Sequence, residues 1–275
     1  MSWAGPVPGI PDAMIVEDNG VPWDIPGGEI AGLYAKARPG ALLQIVPGIA
    51  RYLATGGDRI CVAQEPDAAA DSVGVFLHGA VRAALIHQRG ELPLHAATLV
   101  PPDGEGAVAI CGPSGMGKST AAAALCARGW RLVADDLTRI ALDGARIVAW
   151  PGRGRLCLWR DAVERLGYEA RTLHPVRQGL EKFELPVRAC TEPAPLRAIV
   201  VLCLEDAPDA ATGAAKLALL SDNTFRPRQI GPLGALPDHL KIVARVASGA
   251  DVLRLGGARR ESPAALADRI ERLAR

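Results

Sequence analysis

Residues 112–119, Gly-Pro-Ser-Gly-Met-Gly-Lys-Ser, fit the pattern G-x-x-x-x-G-K-[ST] at every fixed position. The chemistry of that spacing is polyphosphate binding. Gly112, Gly115 and Gly117 allow backbone N–H groups to turn inward, and Pro113, Ser114 and Met116 fill the loop between them. Lys118 can reach the terminal phosphates of a nucleotide such as ATP, and the Ser119 hydroxyl can ligate Mg²⁺. Thr120 follows within the first helical turn. Seventeen residues after Lys118, Asp135 and Asp136 end the apolar run Leu132-Val133-Ala134. A carboxylate there serves a phosphate-binding loop as a Mg²⁺ ligand or a catalytic base. On an extended backbone, adjacent side chains point to opposite faces, so at most one carboxylate of the pair is expected to face the phosphates directly.

These residues need a strand, a loop and a helix to hold them, and the local sequence supplies all three. Ala107–Cys111 is a short apolar run of strand type, and residues 119–128 are alanine-rich and stop at Gly129, a helix terminator. The helix N-terminus adds partial positive charge to the loop. Residues 94–100 read as a strand joined to Ala107–Cys111 through a Pro/Gly-rich hairpin loop. Residues 131–134 read as the strand that delivers the Asp pair. Elsewhere, residues 72–89 carry apolar positions at helical spacing and end at Gly90. Residues 41–46 and 59–63 read as strands with a turn at Gly56-Gly57-Asp58, and residues 139–142 and 145–150 pair across Asp143-Gly144. Strands are expected at 183–187, 198–204 and 252–255, and helices at 161–166, 239–247 and 264–274. Residues 216–220 fit a strand or a helix end. The first forty residues are rich in Gly and Pro and read as loops and short strands.

Composition narrows the function classes. The chain has 275 residues, 49% of them hydrophobic, enough for a proper core. Its net charge of +1 gives no electrostatic pull toward nucleic acid or a membrane surface, and no apolar run is long enough to span a bilayer. The six cysteines contain no C-x-x-C pair, which points away from zinc and disulfide frameworks and toward free thiols in a reducing cytoplasm.

Residues 112–140, GPSGMGKSTAAAALCARGWRLVADDLTRI, resemble the nucleotide core of HPr kinase/phosphorylase: the loop, an alanine- and leucine-bearing helix ending in Arg-Gly, then R-L-V-A-D-D at the same spacing. Leu94-His95-Ala96 matches the family's upstream histidine. The firm resemblance covers residues 92–140, and a fainter one, through 183–187 and 223–226, extends to about 231. It implies an α/β fold: a P-loop kinase core of HPr kinase/phosphoenolpyruvate carboxykinase type, with a mixed β-sheet, flanking helices and a small N-terminal part. Residues 1–90 would form that α+β part and 91–275 the kinase domain. It also implies roles. Asp136 would accept the proton of a serine hydroxyl, His95 would sit beside it, Lys118 would grip the β- and γ-phosphates of ATP, and Ser119 with Asp135 would serve Mg²⁺.

The chain departs from the family at Thr120, where glutamate is usual, and around residues 149–155, which carry arginines in place of a second metal-binding glutamate. The segments Trp150–Arg155 and Leu156–Asp161 are instead similar to a divergent branch associated with ribosomally made, modified peptides, lasso peptides among them. That branch implies phosphorylation of the C-terminal serine of a precursor peptide. A small serine-bearing protein stays open as the acceptor, and so does a homo-oligomer. Arg153, Arg155 and Lys182 are candidates to grip phosphate oxygens or a peptide carboxylate. Three other readings stay open: a carrier-protein kinase of HPr type, a relative of ATP-dependent phosphoenolpyruvate carboxykinase, and a nucleotide-binding regulator that transfers nothing. The carboxykinase would need a transition-metal site, and the five histidines do not cluster in sequence.

Overall fold

The computed structural model describes residues 2–205, 210–258 and 261–274. It is a mixed α/β chain that divides into two compact units. No helix among the described residues is long and apolar enough to cross a membrane.

The first unit comprises the chain up to Pro93 together with Phe225–Ile242. Its seven-stranded sheet runs Gly5–Val7, Ile10–Glu17, Arg59–Gln64, Ala50–Thr55, Ala41–Val46, Ala35–Arg38, Glu29–Gly32. Neighbours are antiparallel except for Ile10–Glu17 and Arg59–Gln64, which run parallel from Met14 opposite Arg59. The strand Ala50–Thr55, not anticipated from its sequence, alternates buried and half-buried residues, as a one-sided strand should. The helical stretch expected at 72–89 is present as Ala70–Gln88, interrupted by a π-turn at Leu77–Val81. Two side chains satisfy carbonyls along it: the Tyr52 hydroxyl donates to Val73 O (2.9 Å) and Gln229 Nε2 to Ala80 O (3.0 Å). Near its end, buried His87 donates from Nε2 to Phe225 O (3.1 Å) and meets His239 edge-on, with ring centroids 6.2 Å apart.

The second unit comprises Leu94–Thr224 and the chain from Val243 onward. Its sheet places Arg131–Ala134, Ala96–Val100, Ala107–Cys111, Ala194–Leu202, Arg146–Trp150 and Thr138–Asp143 side by side, with Asp251–Leu255 also pairing to Ala194–Leu202. Ala107–Cys111 and Ala194–Leu202 are parallel, with Cys111 opposite Val201, and both are almost wholly buried, as strands covered on two faces are. The expected hairpins hold their register: Val108 faces Leu99, and Asp143 faces Arg146. Residues 214–222, ambiguous in sequence, are helical. Leu156–Trp159, Lys182–Leu185 and His174–Pro175 form a separate three-stranded sheet.

The core of this unit gathers Met116 and Ala121–Leu125 of the loop helix, Leu132, Leu156, Leu158, Val200 and Leu202, and Leu266 and Ile270 of the helix Pro263–Leu273. That last helix starts as its Ser-Pro signal requires, with Ser262 Oγ accepting from Ala265 N (3.2 Å). Arg128 ties the end of the loop helix to it by ion pairs with Asp268 (2.7 Å) and Glu271 (3.0 Å). All six cysteines are free thiols.

Candidate active site

The phosphate-type loop leaves the buried strand Ala107–Cys111 and enters the helix Lys118–Ala127. Gly112 shows why the first position must be glycine: its φ is 139°, and a Cβ there would lie 2.9 Å from the backbone oxygen of Leu202. Gly115 and Gly117 also take positive φ, 79° and 93°, which turns the intervening amides toward the loop interior. Met116 is buried in the core and anchors the loop from below, while Pro113, Ser114 and Gly115 stay exposed and Thr120 is half-buried. The helix ends where Gly129 (φ 92°) predicts, with Gly129 N donating to Cys126 O and Trp130 N to Leu125 O.

Lys118 turns back over the loop. Its Nζ donates to Gly112 O (2.7 Å) and Pro113 O (3.2 Å). Burial lowers its pKa, and the nearby Asp136 carboxylate opposes that shift. Ser119 Oγ donates to Asp135 Oδ1 (3.1 Å), and Asp135 Oδ2 accepts from Cys157 N (2.8 Å). Burial and the adjacent charge of Asp136 push the Asp135 carboxyl up to about 7. Asp136 Oδ2 accepts from Lys182 Nζ at 2.8 Å. Burial pulls the Lys182 ammonium down, but the Asp136 carboxylate outweighs it and raises the pKa.

The Asp pair does not have the extended geometry assumed from its strand. Asp136 has φ 64°, and Leu137 N donates to Asp135 O (2.8 Å), closing a three-residue γ-turn of the rare positive-φ kind. The bend keeps both carboxylates in one electrostatic neighbourhood, where each acts on Lys118 and on Lys182. Residues in such turns are held by their surroundings and gather at functional sites.

His95 is placed by register. The strand expected at 94–100 breaks at this residue, whose N–H donates to Asn223 O (2.8 Å). Ala96 then pairs with Cys111, and Thr98 with Ala134. His95, Gly112 and the Asp pair therefore leave the same end of three adjacent strands. Thr138 reinforces this end: its Oγ1 lies 2.8 Å from Thr98 Oγ1 and 3.3 Å from Ala96 O.

Of the three basic candidates, Arg155 forms an ion pair with Glu184, Lys182 is held by Asp136, and Arg153 is exposed. Two contributors had no signal in sequence, the Cys157 backbone amide and the Thr98–Thr138 pair, because both depend on contacts between distant segments.

The donor set fits a hard divalent cation shared with phosphates. Ser119 donates its hydrogen to Asp135 and so keeps its oxygen lone pairs for a metal, with the Asp135 carboxylate beside them. Among the described residues, no group of three or more His, Cys, Asp or Glu side chains converges as a protein-only metal cage.

No protein-family model matches the chain, and no curated protein matches it. Among solved structures, the chain is similar to the Hpr(Ser) kinase/phosphatase from Coxiella burnetii. The identity is 16%, the match covers 66% of this chain and 92% of that one, and the TM-score is 0.37. A likeness of that size leaves the function to be argued from the residues of the site.

Proposed function

We propose that this protein is an ATP-dependent kinase that transfers the γ-phosphoryl group to a serine hydroxyl on a peptide, the C-terminal serine of a lasso-type precursor in particular. The observation that carries the reading is the meeting of Ser119 and Asp135 at 3.1 Å beneath a loop whose three glycines all have positive φ, with Lys118 and Asp136 beside them. The site lies at the carboxyl ends of two parallel strands, where open α/β sheets bind their ligands.

Phosphoryl transfer asks a protein for positioning and charge neutralisation more than for covalent chemistry. The loop amides and Lys118 hold the phosphates of ATP. Ser119 and Asp135 would hold a Mg²⁺ ion, which would supply charge neutralisation for the phosphates. Asp136 accepts the proton of the serine hydroxyl as the serine oxygen bonds to the γ-phosphorus and the bond to the bridging oxygen breaks, releasing ADP. His95, at the same sheet end, flanks that proton transfer.

A peptide acceptor is supported by the near-neutral charge, which provides no long-range steering for a strongly charged protein partner. It is supported too by the similarity of residues 150–161 to the lasso-associated branch. With Arg155 and Lys182 engaged inside the protein, Arg153 is the cation left exposed to meet a peptide carboxylate. Free thiols suit a cytoplasmic enzyme.

The test is mass spectrometry after incubation of the protein and Mg·ATP with a serine-ending precursor peptide and, separately, with HPr. One added phosphate on the peptide supports the proposal. Addition to HPr alone makes the protein a carrier-protein kinase. Binding of ATP with no addition to either favours a non-catalytic regulator.

A further inference from the structure

We infer that Lys182 is a positioning residue of the transfer step: it holds Asp136 by one carboxylate oxygen and leaves the other to receive the acceptor's proton. This rests on the kinase reading and adds a residue to it.

Three observations point the same way. Asp136 sits in a positive-φ γ-turn, so its backbone is set, but its carboxylate needs an anchor. Among the described residues its ion-pair partner is Lys182, at 2.8 Å on Oδ2, which leaves Oδ1 for a substrate hydroxyl. The exposures are unequal: the Lys182 side chain is 16% exposed and that of Asp136 47%. An ion pair that served surface stability alone would gain little from burying the lysine, since desolvation offsets the attraction. Here the anchor is inside and the carboxylate opens outward, as a base that must meet a substrate requires.

Lys182 is also rigidly mounted. It begins the strand Lys182–Leu185, opposite Trp159 of the strand whose Cys157 amide holds Asp135. One short sheet thus grips both carboxylates, Asp135 through a backbone N–H and Asp136 through a side-chain ammonium. Lys118 binds the loop carbonyls instead, so the two lysines divide the work: Lys118 serves the phosphates and Lys182 serves the base. During transfer the serine proton passes to Asp136 Oδ1, the serine O–P bond forms and the P–O bond to ADP breaks. Lys182 keeps its protons throughout.

The test uses the whole protein, with Mg·ATP and water as the acceptor, and compares wild type, Lys182→Met, Lys182→Arg, Asp136→Asn and the double variant Asp136→Asn/Lys182→Met. Phosphate release should fall about ten- to a hundredfold in Lys182→Met, the size of one charge-assisted contact, while Mg·ADP affinity stays within about twofold. Lys182→Arg should recover part of the rate, and the double variant should be no slower than Asp136→Asn, because the lysine acts through the aspartate. Lys182→Gln, close in length and still a donor, takes the place of Lys182→Met should the latter not fold. A wild-type rate in Lys182→Met, a loss of ADP affinity matching the loss of rate, or additive losses in the double variant would overturn the assignment. Wild-type protein that binds Mg·ADP yet neither releases phosphate to water nor phosphorylates the serine-ending peptide would instead sink the kinase reading, and this role with it.

Discussion

Replacing Asp136 with glycine and, separately, with alanine divides its structural role from its chemical one. The residue has φ 64°, where an L-side chain meets its own backbone and glycine does not. Both variants lose the ion pair to Lys182. Solvent screens the half-exposed carboxylate, but the largely buried Lys182 ammonium is left unpaired in both, so this cost is common to the two variants. The glycine variant also sheds the left-handed strain, about 1 kcal/mol. The alanine variant keeps the strain and should be the less stable of the two by about 1 kcal/mol. At ordinary positions the order is reversed, since glycine is disfavoured through the entropy of the unfolded chain, so the sign itself is diagnostic. For a unit of this size the two melting temperatures should differ by about 2–4 °C in calorimetry without nucleotide. Both variants should lose transfer by about 10²–10⁴-fold, the contribution of a general base. An alanine variant that melts at or above the glycine variant would refute the strain argument. Normal transfer in either variant would refute Asp136 as the proton acceptor.

Other perturbations probe the parts around it. Lys118→Ala removes a preorganised charge from the phosphate site and should lower transfer by about a hundred- to a thousandfold in steady-state assays. Full turnover by this variant would remove the loop from the mechanism. Ser119→Ala should shift the Mg²⁺ titration of activity to higher concentration, and an unchanged titration would count against the hydroxyl as a ligand. Gly112→Ala places a Cβ 2.9 Å from Leu202 O at a φ of 139° and should cost about 3 kcal/mol, read from urea midpoints. His87 gives the pH prediction: burial, reinforced by His239, depresses its pKa to about 4, against the hydrogen bond to Phe225 O. Its folded pKa lies below the unfolded value, so the neutral imidazole is no burden above pH 6.5. Between about 6.5 and 4 the unfolded chain binds the extra proton, and stability falls by up to about 3 kcal/mol. His87→Gln should flatten that slope, and equal slopes in the two proteins would exclude His87 as its source.

The loop and its flanks were legible because their signals are local. Gly112, Gly115 and Gly117 mark backbone conformations closed to other residues, Gly129 marks the helix stop, and the apolar runs before Gly112 and Asp135 are short strands bounded by turn residues. The register that brings His95 to the site was partly legible through the Pro101–Gly106 hairpin. What escaped depends on distant contacts. The left-handed turn at Asp136 has no marker, since aspartate is common in both strand ends and turns. The attachment of Lys182 to Asp136 spans 46 residues, a distance at which sequence carries no pairing signal. Ala50–Thr55 was missed because Arg51, Tyr52 and Thr55 blur its alternation, although its inward side is buried. Phe225–Ile242 associates with the first unit although it lies far along the chain, a partition set by packing and not by any linker-like composition.

The helix Lys118–Ala127 buries four consecutive alanines, Ala121 to Ala124, and so has almost no side that faces water. Small side chains let the helix Pro263–Leu273 and the sheet approach it closely from different sides. A lineage carrying this protein has little room to vary there: each added methylene would displace the helix that carries Lys118 and Ser119. A run of small residues directly after G-K-S-T is therefore a better guide to distant relatives than the loop itself, which unrelated nucleotide-binding proteins share. A surface tag or fusion, by the same logic, belongs away from the Pro263–Leu273 helix, whose seating sets the height of the loop above the sheet.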